Sequence, residues 1–151
     1  MRHMIRKAEI RDLDALTEIE AECSGMPWTH DQMEEEILFR FARTYVCEEE
    51  GRVVGFLSAH VLEDESHINE FGVMPGFRNR GIGQKLLSAY LEECADTGVN
   101  KITLEVREGA APAIRLYEKN GWKKIGLRKG FYRNPAEDGI VMMLESGTDL
   151  C

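Results

Sequence analysis

The chain of 151 residues has 43% hydrophobic and 30% charged residues, a composition that excludes an intrinsically disordered protein and fits a folded globular one. Its formal net charge of −8 argues against a general nucleic-acid-binding protein, because affinity for a phosphate backbone requires clustered Lys and Arg. An acidic surface instead favours cationic partners, such as an amine or a basic peptide. The length suits one domain, and we expect residues 1–151 to form it.

The N-terminal residues MRHMIRKAEI lack the apolar core of a signal peptide, and no apolar run reaches the ~18 residues that span a membrane. The sequence therefore predicts a cytoplasmic protein without a membrane partner. The four histidines show no metal-ligand spacing, which predicts that no metal is bound. The cysteines are widely spaced and form no C-x-x-C pair, so we expect reduced thiols at Cys23, Cys47, Cys94 and Cys151.

In chain order, apolar periodicity first predicts a strand, two helices and a two-stranded hairpin. These elements are residues 5–10, a helix opened by Asp12 and followed by a loop over 24–28, a helix over 30–41, and strands over 44–49 and 52–61. Thr29 and Gln32 have the spacing of a capping box, which marks the start of the second helix. Glu50 and Gly51 supply the turn of the hairpin.

The second half of the chain predicts four strands and two helices. They are strands over 66–73, 101–107, 123–128 and 139–144, a helix over 83–97 that ends at Gly98, and a short helix begun by Pro112 and stopped by Gly121. The alternation in the first of these strands changes parity between Ile68 and Phe71, which indicates a β-bulge near Asn69 and Glu70. The order of elements predicts an α/β fold with a mixed sheet.

The stretch RNRGIG, residues 78–83, joins the fourth strand to the third helix. A helix N-terminus presents unpaired N–H groups and a positive dipole end, so it binds anions readily. Gly81 and Gly83 would let phosphates approach the backbone, and Arg78 and Arg80 would add mobile charge. The alternative is a glycine-containing turn with solvated arginines. Neither a Walker loop nor a G-x-G-x-x-G dinucleotide fingerprint matches.

The stretch resembles the R/Q-x-x-G-x-G/A motif of the GCN5-related N-acetyltransferases, the GNAT superfamily. IRKAEIRDLDALTEIE resembles the opening strand and helix of that superfamily, and LEVREGAAPAIRLYEKNGW resembles its strand-helix segment that ends in Tyr-x-x-x-G-F/W. MPWTHDQM and RKGFYRNPAEDGIVM are similar to a loop and a closing hairpin of the bacterial ribosomal-protein S18 alanine N-acetyltransferases, the RimI family. The resemblance implies a single-domain GNAT fold, with about seven mostly antiparallel strands, about four helices and a bulged fourth strand.

The resemblance also implies that acetyl-CoA is the co-substrate and that backbone groups bind it. Its acetyl-pantetheine arm would lie against Phe71, Gly72 and Val73, where the bulge separates two strands. Its pyrophosphate would be held by the amides of Arg78, Asn79, Arg80, Gly81, Ile82, Gly83 and Gln84. The RimI pattern has an Asn contact to the cofactor where this chain has Ala110, and either Arg107 compensates for it or the contact is absent.

Acetyl transfer from a thioester to an amine requires a neutral amine, a stabilised carbonyl oxygen and a proton for the leaving thiolate. By resemblance, Glu105 is the general base and Tyr117 the general acid. Glu105 alternates with Leu104 and Val106, so its side chain points to the opposite face of the strand. A solvated carboxylate and a core tyrosine are the alternative interpretations of these two residues.

The amine is predicted to enter between the loop SGMPWTH and the closing hairpin. The candidates for binding a peptide N-terminus are Pro27, Trp28, Phe131 and Tyr132. The alternative is aromatic packing at the ends of elements. Glu22 and Glu70 are the candidates for attracting its ammonium group.

The resemblance thus implies an acetyl-CoA-dependent N-terminal acetyltransferase that transfers the acetyl group directly within a ternary complex. The N-terminal alanine of ribosomal protein S18 is the first candidate substrate. The alternatives are acetylation of a small-molecule amine or a lysine side chain, and a non-catalytic acyl-CoA-binding module.

Overall fold

The computed structural model describes residues 2–145, and within them the chain forms seven strands and four α-helices. The strands are β1 (His3–Lys7), β2 (Ala42–Glu49), β3 (Arg52–Leu62), β4 (Glu65–Val73), β5 (Lys101–Arg107), β6 (Lys123–Tyr132) and β7 (Glu137–Glu145). The helices are α1 (Leu13–Cys23), α2 (His30–Leu38), α3 (Ile82–Asp96) and α4 (Ala111–Lys119), with short 3-10 helices at Ile10–Asp12 and Pro75–Phe77.

All the strands belong to one sheet with the order β1-β2-β3-β4-β5-β7-β6. Neighbouring strands are antiparallel except β4 and β5, which are parallel and pair only from Glu65–Lys101 to His67–Thr103. Beyond His67 the two strands separate. The predicted α/β fold with a mixed, mostly antiparallel sheet is confirmed.

The predicted bulge in the fourth strand is also confirmed. Ser58 of β3 pairs with Glu70, whereas the next residue, Ala59, pairs with Ile68, so Asn69 is the extra residue of β4. Ile68 and Phe71 therefore pack against the same apolar cluster although they are three positions apart.

The sheet separates two apolar clusters. The larger one lies under α3 and α4 and includes Leu86, Tyr90 and Trp122. The smaller one lies under α1 and α2 and includes Leu16 and Met33. Because successive strand residues point to opposite faces, Leu104 and Val106 of β5 are buried in the larger cluster, and the residue between them faces the α1 and α2 side.

Local sequence signals at turns and helix ends are confirmed. Thr29 and Gln32 form the predicted capping box, with reciprocal backbone-to-side-chain bonds of 2.9 and 3.1 Å. Glu50 and Gly51 both have positive φ angles, of 52° and 80°, as a tight hairpin turn requires. Gly98 follows α3 with φ of 80°, as expected for a glycine that ends a helix.

Several predicted boundaries are wrong. The first strand ends at Lys7 rather than residue 10, because the Asp12 carboxylate binds both the Glu9 N–H and the Arg6 guanidinium and folds the intervening residues into a turn. Asp12 therefore makes no side-chain cap on α1. The second helix ends at Leu38, before an extended Phe39, and the sixth strand continues to Tyr132 instead of ending at residue 128.

The described cysteines are free thiols, as predicted. Cys47 and Cys94 are buried and Cys23 is partly exposed, whereas Cys151 lies outside the described residues.

Candidate active site

The separation of β4 from β5 opens a cleft of about 970 Å³. The N-terminus of α3 bounds one end, and the β6–β7 hairpin and the loop after α1, through Ser24, Gly25, Met26 and Trp28, bound the other. Its volume lies within the range of about 300–1,000 Å³ that is usual for small-molecule sites. The described residues therefore contain a cleft with two chemically different ends.

At the first end, the turn into α3 leaves backbone amides directed out of the helix. The first bond of this helix runs from the Lys85 N–H to the Gly81 carbonyl, at 3.0 Å, and the amides that precede Lys85 have no partner within the helix. Gly81 has φ of 79°, a conformation that favours glycine. A Cβ at Gly83 would make only ordinary contacts, 3.5 Å to Leu116 and 3.8 Å to Phe71. The packing of the protein does not require glycine at position 83, and its missing side chain leaves the cleft open beside the amides.

The two arginines of the turn differ from each other. The Arg80 guanidinium binds the buried Glu49 carboxylate at 2.7 and 3.0 Å and lies over the Phe77 ring, outside the cleft. The prediction that both arginines add mobile charge is therefore wrong for Arg80. Arg78 does line the cleft, where its Nε donates to the Val73 carbonyl at 3.0 Å.

The other predicted cofactor residues lie along the same end. Phe71, Gly72, Val73, Asn79 and Ile82 line the cleft. The Gln84 side chain lies outside it, since its amide exchanges hydrogen bonds of 3.0 and 2.9 Å with Asn120 and so joins α3 to the end of α4.

Arg107, the candidate to replace the missing Asn contact at position 110, lines the cleft, and its guanidinium is bonded to the β6–β7 hairpin. Its guanidinium donates to the Pro135 and Arg133 carbonyls at 2.8 and 2.6 Å and stacks on the Tyr132 ring. Through these contacts Arg107 stabilises the β6–β7 hairpin. Ala110 lines the cleft with a methyl group only.

Glu105 lies where β4 and β5 separate and lines the cleft from the α1 and α2 face of the sheet. Its Oε1 is 3.0 Å from His67 Nε2, and its Oε2 is 3.6 Å from Arg128 Nη1. The hydrogen bond from His67 and the charge of Arg128 outweigh partial burial and lower the pKa of Glu105 below its usual value. Glu105 is therefore ionised at neutral pH.

Sequence reasoning missed His67 and Arg128 as neighbours of Glu105. His67 is a register partner of Thr103 in the short parallel pairing, and its Nδ1 lies 2.7 Å from Thr103 Oγ1. A histidine among alternating strand residues is a weak signal, because its partners depend on which strands pair and in what register.

Tyr117 of α4 is buried and lines the cleft. Its ring packs between Phe71 and Trp122, with centroid distances of 6.2 and 5.7 Å. Burial raises the pKa of its hydroxyl above the usual value, so the phenol remains protonated at neutral pH. The position is consistent with core packing and with a proton donor to the cleft.

At the second end, Trp28, Phe131 and Tyr132 line the cleft, whereas Pro27 is exposed outside it. The two walls touch, since Asn134 Nδ2 donates to the Gly25 carbonyl at 3.2 Å. The loop and the hairpin therefore form a bridge that restricts access to this end of the cleft.

Of the two acidic candidates, Glu22 is exposed on α1 outside the cleft, and Glu70 lines it. Burial, together with the carboxylates of Glu20 and Glu36, raises the pKa of Glu70 to about 9, so Glu70 is neutral at pH 7. A neutral carboxyl does not attract an ammonium group by its charge. Glu20, which accepts the Trp28 N–H at 2.9 Å, also lines this part of the cleft.

Over residues 2–145, no three His, Cys, Asp or Glu side chains converge as metal ligands would. In the same part of the chain, no helix has the length and apolar character to cross a bilayer.

The sequence model of the "Acetyltransferase (GNAT) family" matches residues 13–122. The chain belongs to this family, and the protein is an N-acetyltransferase. The resemblance noted in the sequence is therefore confirmed, and the alternative of a non-catalytic module has no support.

Three comparisons define its relatives within the family. An Escherichia coli (strain K12) protein named ribosomal protein bS18-alanine N-acetyltransferase is 30% identical over 142 residues, 93% of this chain and 95% of that protein. A Bacillus subtilis (strain 168) protein, whose name assigns it the same activity provisionally, is 31% identical over 139 residues, 91% of this chain and 92% of that protein. The crystal structure of the ribosomal-protein-S18-alanine N-acetyltransferase from E. coli superposes with a TM-score of 0.90 at 28% identity and covers 99% of both chains.

Proposed function

We propose that this N-acetyltransferase uses acetyl-CoA to acetylate a protein N-terminus, with the N-terminal alanine of ribosomal protein S18 as its substrate. The observation that carries the proposal is the presence of the α3 amides and the Glu105 carboxylate at opposite ends of one cleft. An anion-binding backbone at one end suits a diphosphate, and a fixed carboxylate at the other suits an amine. The S18 assignment rests on the names of the relatives described above, and a ribosomal substrate would place the reaction in the cytoplasm.

In this proposal the amides from Arg78 to Gln84 hold the pyrophosphate of acetyl-CoA. Gly83 suits such an approach because it has no side chain beside these amides, and the packing of the protein does not itself require a glycine there. Phe71, Gly72 and Val73 line the cleft between this turn and Glu105, so an extended pantetheine arm along β4 would bring the thioester toward the carboxylate.

Glu105 and Tyr117 take the acid–base roles. The Glu105 carboxylate accepts the proton of the attacking amine, directly or through a water molecule, and the neutral phenol of Tyr117 supplies a proton to the leaving thiolate. Tyr117 belongs to the larger apolar cluster and lines the same cleft as Glu105.

The low basicity of Glu105 favours a terminal amine over lysine. An α-amino group has a pKa of about 7.7–8.0, so roughly a quarter of it is already neutral near pH 7.5. A lysine, at about 10.4, would require roughly 2.5 further pKa units from the base, equivalent to about 3.4 kcal/mol. A carboxylate whose pKa is lowered by His67 is poorly suited to that task.

Direct transfer is favoured over an acetyl-cysteine intermediate. Cys23 is the one described cysteine that lines the cleft, and burial raises the pKa of its thiol above the usual value. Because the thiolate is the nucleophile, a thiol in this state would attack the thioester poorly.

The test is mass spectrometry of peptides incubated with the purified protein and acetyl-CoA. The panel contains peptides that begin with Ala, Ser or Met, one with an acetyl-blocked Ala and an internal lysine, and the S18 N-terminal peptide with and without an internal lysine. We expect acetylation of free Ala termini only. Modification of the blocked peptide at lysine would overturn the proposed specificity, and the Glu105→Gln protein serves as the control for enzyme-independent acetylation.

A further inference from the structure

His67 lies at the last paired position of β4 and β5, immediately before the cleft opens. Its Nδ1 is 2.7 Å from the hydroxyl of Thr103, and its Nε2 is 3.0 Å from Glu105 Oε1. The imidazole therefore joins two side chains that project from alternate positions of β5, on the α1 and α2 face of the sheet.

The partners of the ring determine which nitrogen has the proton. An ionised Glu105 can only accept a hydrogen bond, so Nε2 must be the donor. In a neutral imidazole Nδ1 is then the acceptor, and the Thr103 hydroxyl donates to it. With a neutral imidazole, the hydrogen bonds thus run in one direction, from Thr103 through His67 to Glu105.

The two carboxylate oxygens of Glu105 are not equivalent. Oε1 accepts the hydrogen bond from His67. Oε2 faces Arg128 at 3.6 Å, which is longer than a hydrogen bond, and the Arg128 side chain is 55% exposed. An exposed ion pair of this length contributes little and is easily displaced.

We propose that His67 is a positioning residue, which fixes the Glu105 carboxylate through Oε1 and leaves Oε2 to meet the amine in place of Arg128. The proposal rests on the function proposed above for its assumption that Glu105 receives the proton of the amine. The charged or titratable groups that face Glu105 are His67 from β4 and Arg128 and Tyr132 from β6.

The experiment compares His67→Leu, which removes both hydrogen bonds, with His67→Gln, whose amide has a donor and an acceptor in similar places. The first readout is the pKa of Glu105, measured by NMR titration of ¹³C-labelled glutamate carboxyls and assigned with Glu105→Gln. We expect the pKa to rise in His67→Leu and to stay near the wild-type value in His67→Gln.

The second readout is the dependence of kcat/KM on pH. Misplacement of the base should lower kcat/KM of His67→Leu by about ten- to a hundredfold, most strongly at acidic pH, without changing the dissociation constant of acetyl-CoA. His67→Gln should recover most of the loss, and Thr103→Val should show a smaller loss than His67→Leu.

His60 provides a matched control, because it is the register partner of His67 on β3 and also binds a glutamate, Glu36, at 2.7 Å. Glu36 lies outside the cleft, so His60→Leu should leave both the Glu105 pKa and the shape of the pH profile unchanged. An unchanged Glu105 pKa in His67→Leu, or a His67→Gln protein as impaired as His67→Leu, would overturn the proposal. The NMR titration does not require turnover, so it tests the role of His67 even if the peptide assay shows the proposed substrate to be wrong.

Discussion

The two ends of the cleft present different kinds of chemical group to a ligand. At the α3 end, the groups available to a ligand are backbone amides in a turn fixed by Gly81 and left open by Gly83. At the Glu105 end, they are side chains contributed by separate strands, each held by another side chain. The first end depends on the conformation of a few consecutive residues, and the second depends on how distant segments pack.

This difference predicts how each end responds to mutation. Changes at the α3 end should alter cofactor binding, because they fill the space beside the amides or change the backbone conformation. They should leave the acid–base chemistry intact. Changes at the Glu105 end should act on rate and pH dependence, and should leave cofactor affinity intact. The following variants test that separation, from the largest expected effect to the smallest.

Glu105→Gln should have the largest effect. It retains the shape of the side chain and an acceptor for His67 but removes the base, so kcat/KM should fall by about 10²–10⁴-fold. In the wild type, where Glu105 is ionised at neutral pH, kcat/KM should rise with pH and level off near the α-amine pKa of about 8. Steady-state kinetics and calorimetric binding of CoA measure the two effects, and a weakened CoA affinity in Glu105→Gln would contradict the separation of the two ends.

Gly83→Val should weaken the binding of acetyl-CoA without affecting the acid–base chemistry. The added Cβ would make only ordinary contacts with Leu116 and Phe71, and the rest of the side chain would fill the space beside the α3 amides. Loss of one hydrogen bond to a charged phosphate costs about 1.5–3 kcal/mol, so the KM for acetyl-CoA should rise by roughly ten- to a hundredfold.

Gly126→Val is the control for Gly83→Val, because no atom lies within 4 Å of the Cβ position at Gly126. Equal KM values for acetyl-CoA in the two variants would show that α3 does not hold the diphosphate.

Gly25→Ala tests the bridge over the amine end. Its Cβ would lie 2.5 Å from the Asn134 carbonyl oxygen and 2.8 Å from Arg107 Nη2, so loop and hairpin must move apart. Overpacking of this kind costs about 1–3 kcal/mol, and we expect a lower Tm and a several-fold higher KM for the peptide at unchanged KM for acetyl-CoA. A peptide KM equal to that of Gly126→Ala would show that the bridge does not contact the substrate.

Glu70→Gln should have the smallest effect on activity but a clear effect on stability. The folded protein raises the pKa of Glu70 to about 9, whereas an unfolded glutamate titrates near 4.3. Between these values the folded state retains a proton that the unfolded state releases, so the contribution of Glu70 to stability falls as pH rises.

Each pH unit in that window costs the wild type up to about 1.4 kcal/mol, a loss that Glu70→Gln does not share. Thermal unfolding should therefore give similar Tm values near pH 4 and a Tm advantage for Glu70→Gln that grows toward pH 8. Glu22→Gln, on an exposed part of α1, should follow the wild type at every pH. A constant Tm difference between Glu70→Gln and the wild type would mean that Glu70 titrates normally.

The sequence by itself determined the features that depend on neighbouring residues. The capping box of Thr29 and Gln32, the turn at Glu50 and Gly51, the change of parity around Asn69 and the glycine turn before α3 were all predicted, because each follows from local backbone conformation. The motif of that turn also identified the family, and the alternation of β5 predicted which way Glu105 points.

Only the tertiary structure decided which side chains meet. The parallel register of β4 and β5 places His67 beside Thr103 and Glu105, the packing of α1 against β4 brings Glu20 near Glu70, and Glu49 holds Arg80 away from the cleft. The physical reason is that hydrogen bonds, ion pairs and desolvation act over a few ångströms, and residues far apart in sequence reach such distances only once the sheet has formed.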